Sequence, residues 1–145
     1  DLAAVVVDVV ERFSLSARSA GSHIEVDLCR GAIGKWDRFR LEQVVVNLLV
    51  NAIKYGGGKP IQVALTVEGD RLALTIKDQG IGIATDDLTR IFERFGRAST
   101  AKNFGGLGLG LFIVRQILEV HGGTIQVESQ VGLGSEFRVV LPLIN

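Results

Sequence analysis

Thiol chemistry is nearly absent from this 145-residue chain, in which Cys29 is the single cysteine. One thiol excludes an internal disulfide, and the lack of a Cys/His cluster at metal-ligand spacing argues against a zinc site. A reducing, cytoplasmic setting is the expectation. Net charge is missing too, because 16 Lys and Arg balance 16 Asp and Glu. Nothing in that balance favours wrapping nucleic acid or adhering to an anionic membrane, so any ligand charge must be met locally. No apolar run reaches the roughly 18 residues of a membrane span. The Asp1-Leu2 start has neither an initiator methionine nor the basic flank of a signal peptide, and a piece of a longer protein is expected.

What is present supports a core. Hydrophobic residues make up 47% of the chain, and at about 100 to 200 residues per domain the length fits one domain over residues 1–145. Apolar residues from Leu2 to Leu15 recur at helical spacing and predict a first helix. Ile24 to Leu28 alternates as a short strand. Phe39 to Tyr55 carries Leu41, Val44, Val45, Leu48, Leu49 and Ala52 at helical intervals before Gly56-Gly57-Gly58 stops it. Ile61 to Val67 and Arg71 to Lys77 alternate with period two around Glu68-Gly69-Asp70. They predict an antiparallel hairpin with Ile61, Val63, Leu65, Leu72, Leu74 and Ile76 facing the core. The glycine-rich stretch from Asp78 to Gly110 is long for an ordinary connection, with a brief helix expected around Asp86 to Phe92. A last helix, Leu111 to Val120, precedes a closing hairpin of Thr124 to Ser129 and Glu136 to Leu141. Without a regular βαβ repeat, the pattern favours a two-layer α/β sandwich, a mixed and mostly antiparallel sheet of about five strands against about three helices.

Three local patterns carry chemistry. On the central helix, Asn47, Asn51 and Lys54 or Tyr55 fall at i, i+4 and i+7 or i+8, a stripe of two amides, an ammonium and a phenol. An amide oxygen suits Mg²⁺, and a lysine supplies a point charge for a phosphate, although a solvated polar face has the same spacing. Asp78-Gln79-Gly80-Ile81-Gly82-Ile83 follows a strand directly. Its carboxylate can accept from an exocyclic amine and its glycines permit close backbone approach to a ring, but the same letters make a plain turn. Gly105-Gly106-Leu107-Gly108-Leu109-Gly110 leads into the last helix, where free N–H groups and the dipole can meet a phosphate. No strand precedes it as a dinucleotide fingerprint requires, and Gly58-Lys59-Pro60 lacks the Ser or Thr of a P-loop.

In this order the patterns resemble the histidine-kinase catalytic domains of the GHKL superfamily, and the resemblance covers nearly the whole chain. Arg40 to Tyr55 is similar to the family's asparagine box and Asp78 to Ile83 to its first glycine box. Ile91-Phe92-Glu93-Arg94-Phe95 matches its phenylalanine box, Gly106 to Leu111 its second glycine box, and Gly132 to Phe137 its closing glycine turn. The resemblance implies a Bergerat fold that binds ATP and Mg²⁺. Asn51 is then the metal ligand, Asn47 and Lys54 lie near the phosphates, Tyr55 lies against the adenine or ribose, and Asp78 holds the adenine amine. Gly80, Gly82, Ile83, Gly106, Leu107, Gly108, Leu109 and Gly110 line the nucleotide. The segment from about Ala84 to Gly105 becomes an ATP lid capped by Phe92 and Phe95, which are as well read as core aromatics. Among Arg94, Arg97 and Lys102, Arg97 is the cation assigned to catalysis, beside the alternative of plain solvent exposure for all three.

The resemblance also implies the activity, an ATP-dependent protein-histidine kinase. In the gyrase and chaperone branches a glutamate stands where Asn47 stands here. An amide cannot accept a proton, so water should stay a poor nucleophile and ATP should be kept for a protein acceptor. Neither His23 nor His121 sits in the family's phosphoacceptor pattern, and a structural role at a helix C-terminus suits His121. The expected partners are a dimerisation and histidine-phosphoacceptor domain of the same parent and, indirectly, a response-regulator receiver domain. The piece itself is expected to be monomeric and unable to phosphorylate itself. A GHKL serine kinase and a regulatory nucleotide-binding module without transfer activity are the alternatives.

Overall fold

The computed structural model describes residues 1–29, 33–88, 90–93 and 110–143. These form helices α1 (Leu2–Ser19), α2 (Arg38–Tyr55) and α3 (Gly110–Val120), and strands β1 (Ile24–Leu28), β2 (Ile61–Glu68), β3 (Arg71–Lys77), β4 (Thr124–Gln130) and β5 (Gly134–Pro142). The strands make one five-stranded sheet in the order β1-β2-β3-β5-β4. β1 runs parallel to β2, and the other neighbours are antiparallel. A parallel pair needs a crossover, and α2 supplies it, which brings the amide-bearing helix down onto the sheet.

Period-two alternation decides which sheet face is covered. Ile61, Val63 and Leu65 of β2, Leu72, Leu74 and Ile76 of β3, and Phe137, Val139 and Leu141 of β5 are all buried. They meet Val6 and Val9 of α1, the Leu41-Val44-Val45-Leu48-Leu49-Ala52 stripe of α2, and Val114, Ile117 and Leu118 of α3 in one core. The opposite face is wet, with Gln62, Thr66, Lys77, Gln126 and Glu128 exposed and Arg138 ion-paired to Glu68. The two-layer sandwich expected from the alternation is thus the observed one.

Helix ends follow local chemistry. The Asp1 carboxylate accepts from the Ala3 N–H at 2.9 Å, and Asp37 caps α2 through the N–H groups of Phe39 and Arg40 at 3.0 and 3.3 Å. α1 continues past the expected stop at Leu15, because Ala17 is buried and extends its apolar stripe. It ends before Gly21, whose φ is 84°. The short helix expected over Asp86 to Phe92 is instead a 3₁₀ turn at Thr85–Asp87 followed by further turns. So few residues cannot repay helix nucleation, and i+3 bonds from Asp87 and Leu88 to Ala84 and Thr85 satisfy the backbone. Among the described residues no helix is long and apolar enough to cross a membrane.

His121 has the structural role expected of it. Its Nδ1–H donates to the Ile117 carbonyl at 2.8 Å, and Nε2 accepts the Asp37 N–H at 3.0 Å. Only the Nδ1-protonated tautomer serves both partners. The ring therefore ties the end of α3 to the cap of α2. His121→Ala should lower unfolding free energy by about 1 to 2 kcal/mol, the loss of two neutral hydrogen bonds. His23→Ala, at an exposed position, should change it by less than about 0.5 kcal/mol. Denaturant midpoints that shift equally for the two variants would contradict the latch.

Candidate functional site

α2 presents Asn47 and Asn51 half-buried on one side, with Lys54 exposed and Tyr55 half-buried a turn later. The Asn47 amide donates to the carbonyl of Gly110, the first residue of α3, at 3.3 Å. The amide row and the positive end of α3 are therefore neighbours, and α3 runs antiparallel to α2 back to the His121 latch. Lys54 Nζ lies 5.3 Å from the centroid of the Tyr55 ring, a cation–π contact on the same helix side.

The loop after β3 closes the other end. Ile81 N–H donates to the Tyr55 carbonyl at 3.1 Å, and Gly132 N–H donates to the Ile81 carbonyl at 2.9 Å. A Cβ on Gly80 would sit 1.7 Å from the Tyr55 carbonyl oxygen, and one on Gly82, whose φ is 70°, would sit 2.1 Å from the Gln130 carbonyl oxygen. Both positions demand glycine so that the loop can thread between α2 and the β4–β5 turn. Asp78, Gly80, Gly82 and Ile83 thus gather beside the C-terminus of α2. Asn47 lies about 12 Å away along the helix axis, eight residues at 1.5 Å each.

Asp78 is buried at 6% exposure. Its Oδ1 accepts from Gly80 N–H at 2.9 Å and Ser135 N–H at 3.3 Å, while Oδ2 takes no bond among the described residues. Burial raises its pKa above the ordinary 3.8, and the two backbone N–H groups pull it back only in part. A desolvated carboxylate with one oxygen committed and the other open is an acceptor in search of a donor.

Two residues of the site escaped the sequence reading. Ser129 and Ser135 pair across β4 and β5, their hydroxyls 2.8 Å apart, and Ser129 Oγ accepts the Ile83 N–H at 2.7 Å. Only the register of the hairpin reveals them. The Gly132 to Phe137 turn was the available signal. Phe92, open to two readings, packs edge-on to Phe137 with centroids 6.3 Å apart at 80°. The expectations for Arg94, Phe95, Arg97, Lys102, Gly106, Leu107, Gly108 and Leu109, and for the lid between Arg94 and Gly105, lie outside the described residues.

The family model described as histidine kinase-, DNA gyrase B-, and HSP90-like ATPase matches residues 36–145. The chain belongs to this family. It is 33% identical over its whole length to the sensor histidine kinase MtrB of Mycolicibacterium paratuberculosis, covering 26% of that protein. It is 35% identical over 97% of its length to the sensor protein SrrB of Staphylococcus aureus, covering 25% of it. The chain therefore spans about a quarter of the curated relatives it matches. The structure of full-length ShkA in complex with AMPPNP superposes with a TM-score of 0.85 and 29% identity, over all of this chain and 30% of that one. The sheet order and helix layer are those of a histidine-kinase-type ATPase domain.

Among the described residues no group of three or more His, Cys, Asp and Glu is placed to hold a metal ion. Mg²⁺ normally keeps several waters and takes phosphate oxygens, so the half-buried Asn51 amide suits it as a lone protein ligand.

The Asp78 environment sets a pH test. Because its folded pKa is raised, the stability it contributes is full below pH 3.8 and is lost as pH climbs through the folded value. Asp78→Asn keeps an oxygen for the Gly80 and Ser135 N–H groups and removes the desolvated charge. At pH 7 the variant should melt no earlier than the parent, and any advantage should vanish below pH 3.8. A variant markedly less stable at pH 7 would contradict this assignment.

Proposed function

We propose that this chain is a single nucleotide-binding domain that holds Mg·ATP and transfers the γ-phosphoryl group to a histidine on a separate dimerisation and phosphoacceptor domain of its parent. The observation that carries the proposal is the Asn47–Gly110 contact at one end of α2 and the Asp78 loop at the other. A donor-seeking carboxylate and a phosphate-suited helix start then share one helix as their common wall. The AMPPNP complex of ShkA supports an adenine nucleotide as the occupant. The names of MtrB and SrrB support a sensor kinase as the parent and, indirectly, a response-regulator receiver as the final acceptor.

The roles are assigned by chemistry. Asp78 accepts from the exocyclic amine of adenine, which guanine lacks at that position, and Tyr55, Gly80, Gly82 and Ile83 flank the base. Asn47, Lys54 and Gly110 lie toward the phosphates. Asn51 holds Mg²⁺, which offsets phosphate charge when bound. The acceptor's imidazole nitrogen attacks phosphorus in line, a P–N bond forms, and the bond to the β,γ-bridging oxygen breaks to release ADP. Asn47 carries an amide and cannot take a proton from water. A positioned base is worth roughly 10² to 10⁴ in rate, so hydrolysis stays slow.

Thermal-shift titrations should show ATP, but not GTP, raising the melting temperature, with a larger response when Mg²⁺ is added. Asn51→Ala should lose the Mg²⁺ increment while keeping the metal-free response. Labelled ATP should leave the isolated chain unlabelled and release little phosphate, and label should appear on an added phosphoacceptor domain. Equal responses to ATP and GTP, or label on the isolated chain, would overturn the proposal.

A further inference from the structure

The loop from Asp78 to Ile83 bears the residues assigned to the base, yet none of its own side chains fixes both of its ends. One hydroxyl outside it does. Ser129 Oγ lies 2.7 Å from the Ile83 nitrogen, 2.9 Å from the Gly134 carbonyl oxygen and 2.8 Å from Ser135 Oγ. A serine hydroxyl has one proton to give and two lone pairs to receive with. The Ile83 N–H can only donate and the Gly134 carbonyl can only accept. Ser129 therefore gives its proton to Gly134 and receives from Ile83, and its remaining lone pair takes the proton of Ser135. Every capacity of the hydroxyl is used.

The consequences run to both ends of the loop. Ile83 is held directly. Asp78 is held through the neighbouring residue, because Ser135 N–H donates to Asp78 Oδ1 at 3.3 Å and the Ser135 carbonyl accepts the Asp78 N–H at 2.9 Å. Ser135 itself is 7% exposed, so its hydroxyl has little water to turn to if Ser129 is removed. Between those ends Gly82 is pressed on the Gln130 carbonyl and leaves the backbone no slack.

We propose that Ser129 is a positioning residue for nucleotide-base binding: its hydroxyl, on a strand outside the loop, sets the Ile83 N–H and, through Ser135, the Asp78 carboxylate. This rests on the nucleotide reading of the site. Without the hydroxyl, Ile83 N–H loses its acceptor, Ser135 Oγ reorients, and the loop samples positions in which Asp78 misses the amine. Affinity for the base falls, while the phosphate end near Asn47 is untouched.

The test uses three probes against the intact chain, with Mg²⁺ throughout: ATP, adenosine and inorganic triphosphate. Ser129→Ala should weaken ATP and adenosine by the same factor, about three- to tenfold for one lost network bond, and leave triphosphate unchanged. Ser129→Thr, which retains the hydroxyl on a strand that favours β-branching, should restore both to within about twofold. Ser129→Cys, similar in size but a weak hydrogen-bonding partner, should fall between them and serves if the alanine variant does not fold. Amide exchange at Ile83 should quicken in the alanine variant alone. Unchanged adenosine affinity in the alanine or cysteine variant overturns the proposal, as does equal weakening of all three probes. Failure of the unmutated chain to bind ATP or adenosine removes the nucleotide reading itself, an outcome recognisable before any variant is made.

Discussion

Space for a Cβ is what the loop between β3 and the 3₁₀ turn lacks. At Gly80 it would collide with the carbonyl of Tyr55, and at Gly82 with the carbonyl of Gln130, so the backbone is clamped between the end of α2 and the β4–β5 turn. Interiors packed this tightly do not flex to admit even one methyl group without cost. The clamp fixes the one buried carboxylate of the loop, Asp78, with a single oxygen committed to backbone donors. The two serines and the C-terminus of α2 all take their significance from where that loop must lie.

α2 connects the clamp to the rest of the fold. As the crossover between parallel strands β1 and β2 it has to lie on the sheet. Its apolar stripe uses up the core-facing side and leaves Asn47 and Asn51 on a half-buried flank. α3 packs antiparallel beside it, tied by Asn47 at one end and by His121 with Asp37 at the other. Two contacts at opposite ends resist rotation of α3 better than either alone. The start of α3 thereby keeps its place beside the amide row, where the helix dipole matters only within its first turn.

Much of this could be read before the structure. The hairpin of β2 and β3 showed its inward set, from Ile61 to Ile76, because period two and one buried face admit a single solution. Asn47 and Asn51 showed a shared face because four residues make about one helical turn. Other features could not be read, for definite reasons. The end of α1 depended on Ala17, too small to mark a stripe, finding a place in the core. The turn at Thr85–Asp87 is too short for periodicity to register. Ser129 and Ser135 look like ordinary strand residues until the hairpin register sets them opposite each other. The packing use of Gly80 and Gly82 was not legible: close approach to a bound ring was the expectation, and the groups that a Cβ would meet are the protein carbonyls of Tyr55 and Gln130. Likewise Phe92 could be a lid cap or a core aromatic by sequence, and its contact with Phe137 favours the core.

The central claim is spatial: one adenine nucleotide lies along α2 with its base at Asp78 and its phosphates toward Asn47 and the start of α3. A crystal structure of the chain with Mg²⁺ and a non-hydrolysable ATP analogue measures this directly. The account predicts the adenine amine within hydrogen-bond distance of Asp78 Oδ2 and a phosphate-bound metal within coordination distance of the Asn51 amide oxygen. A nucleotide bound in the opposite direction, or away from α2 altogether, would contradict it.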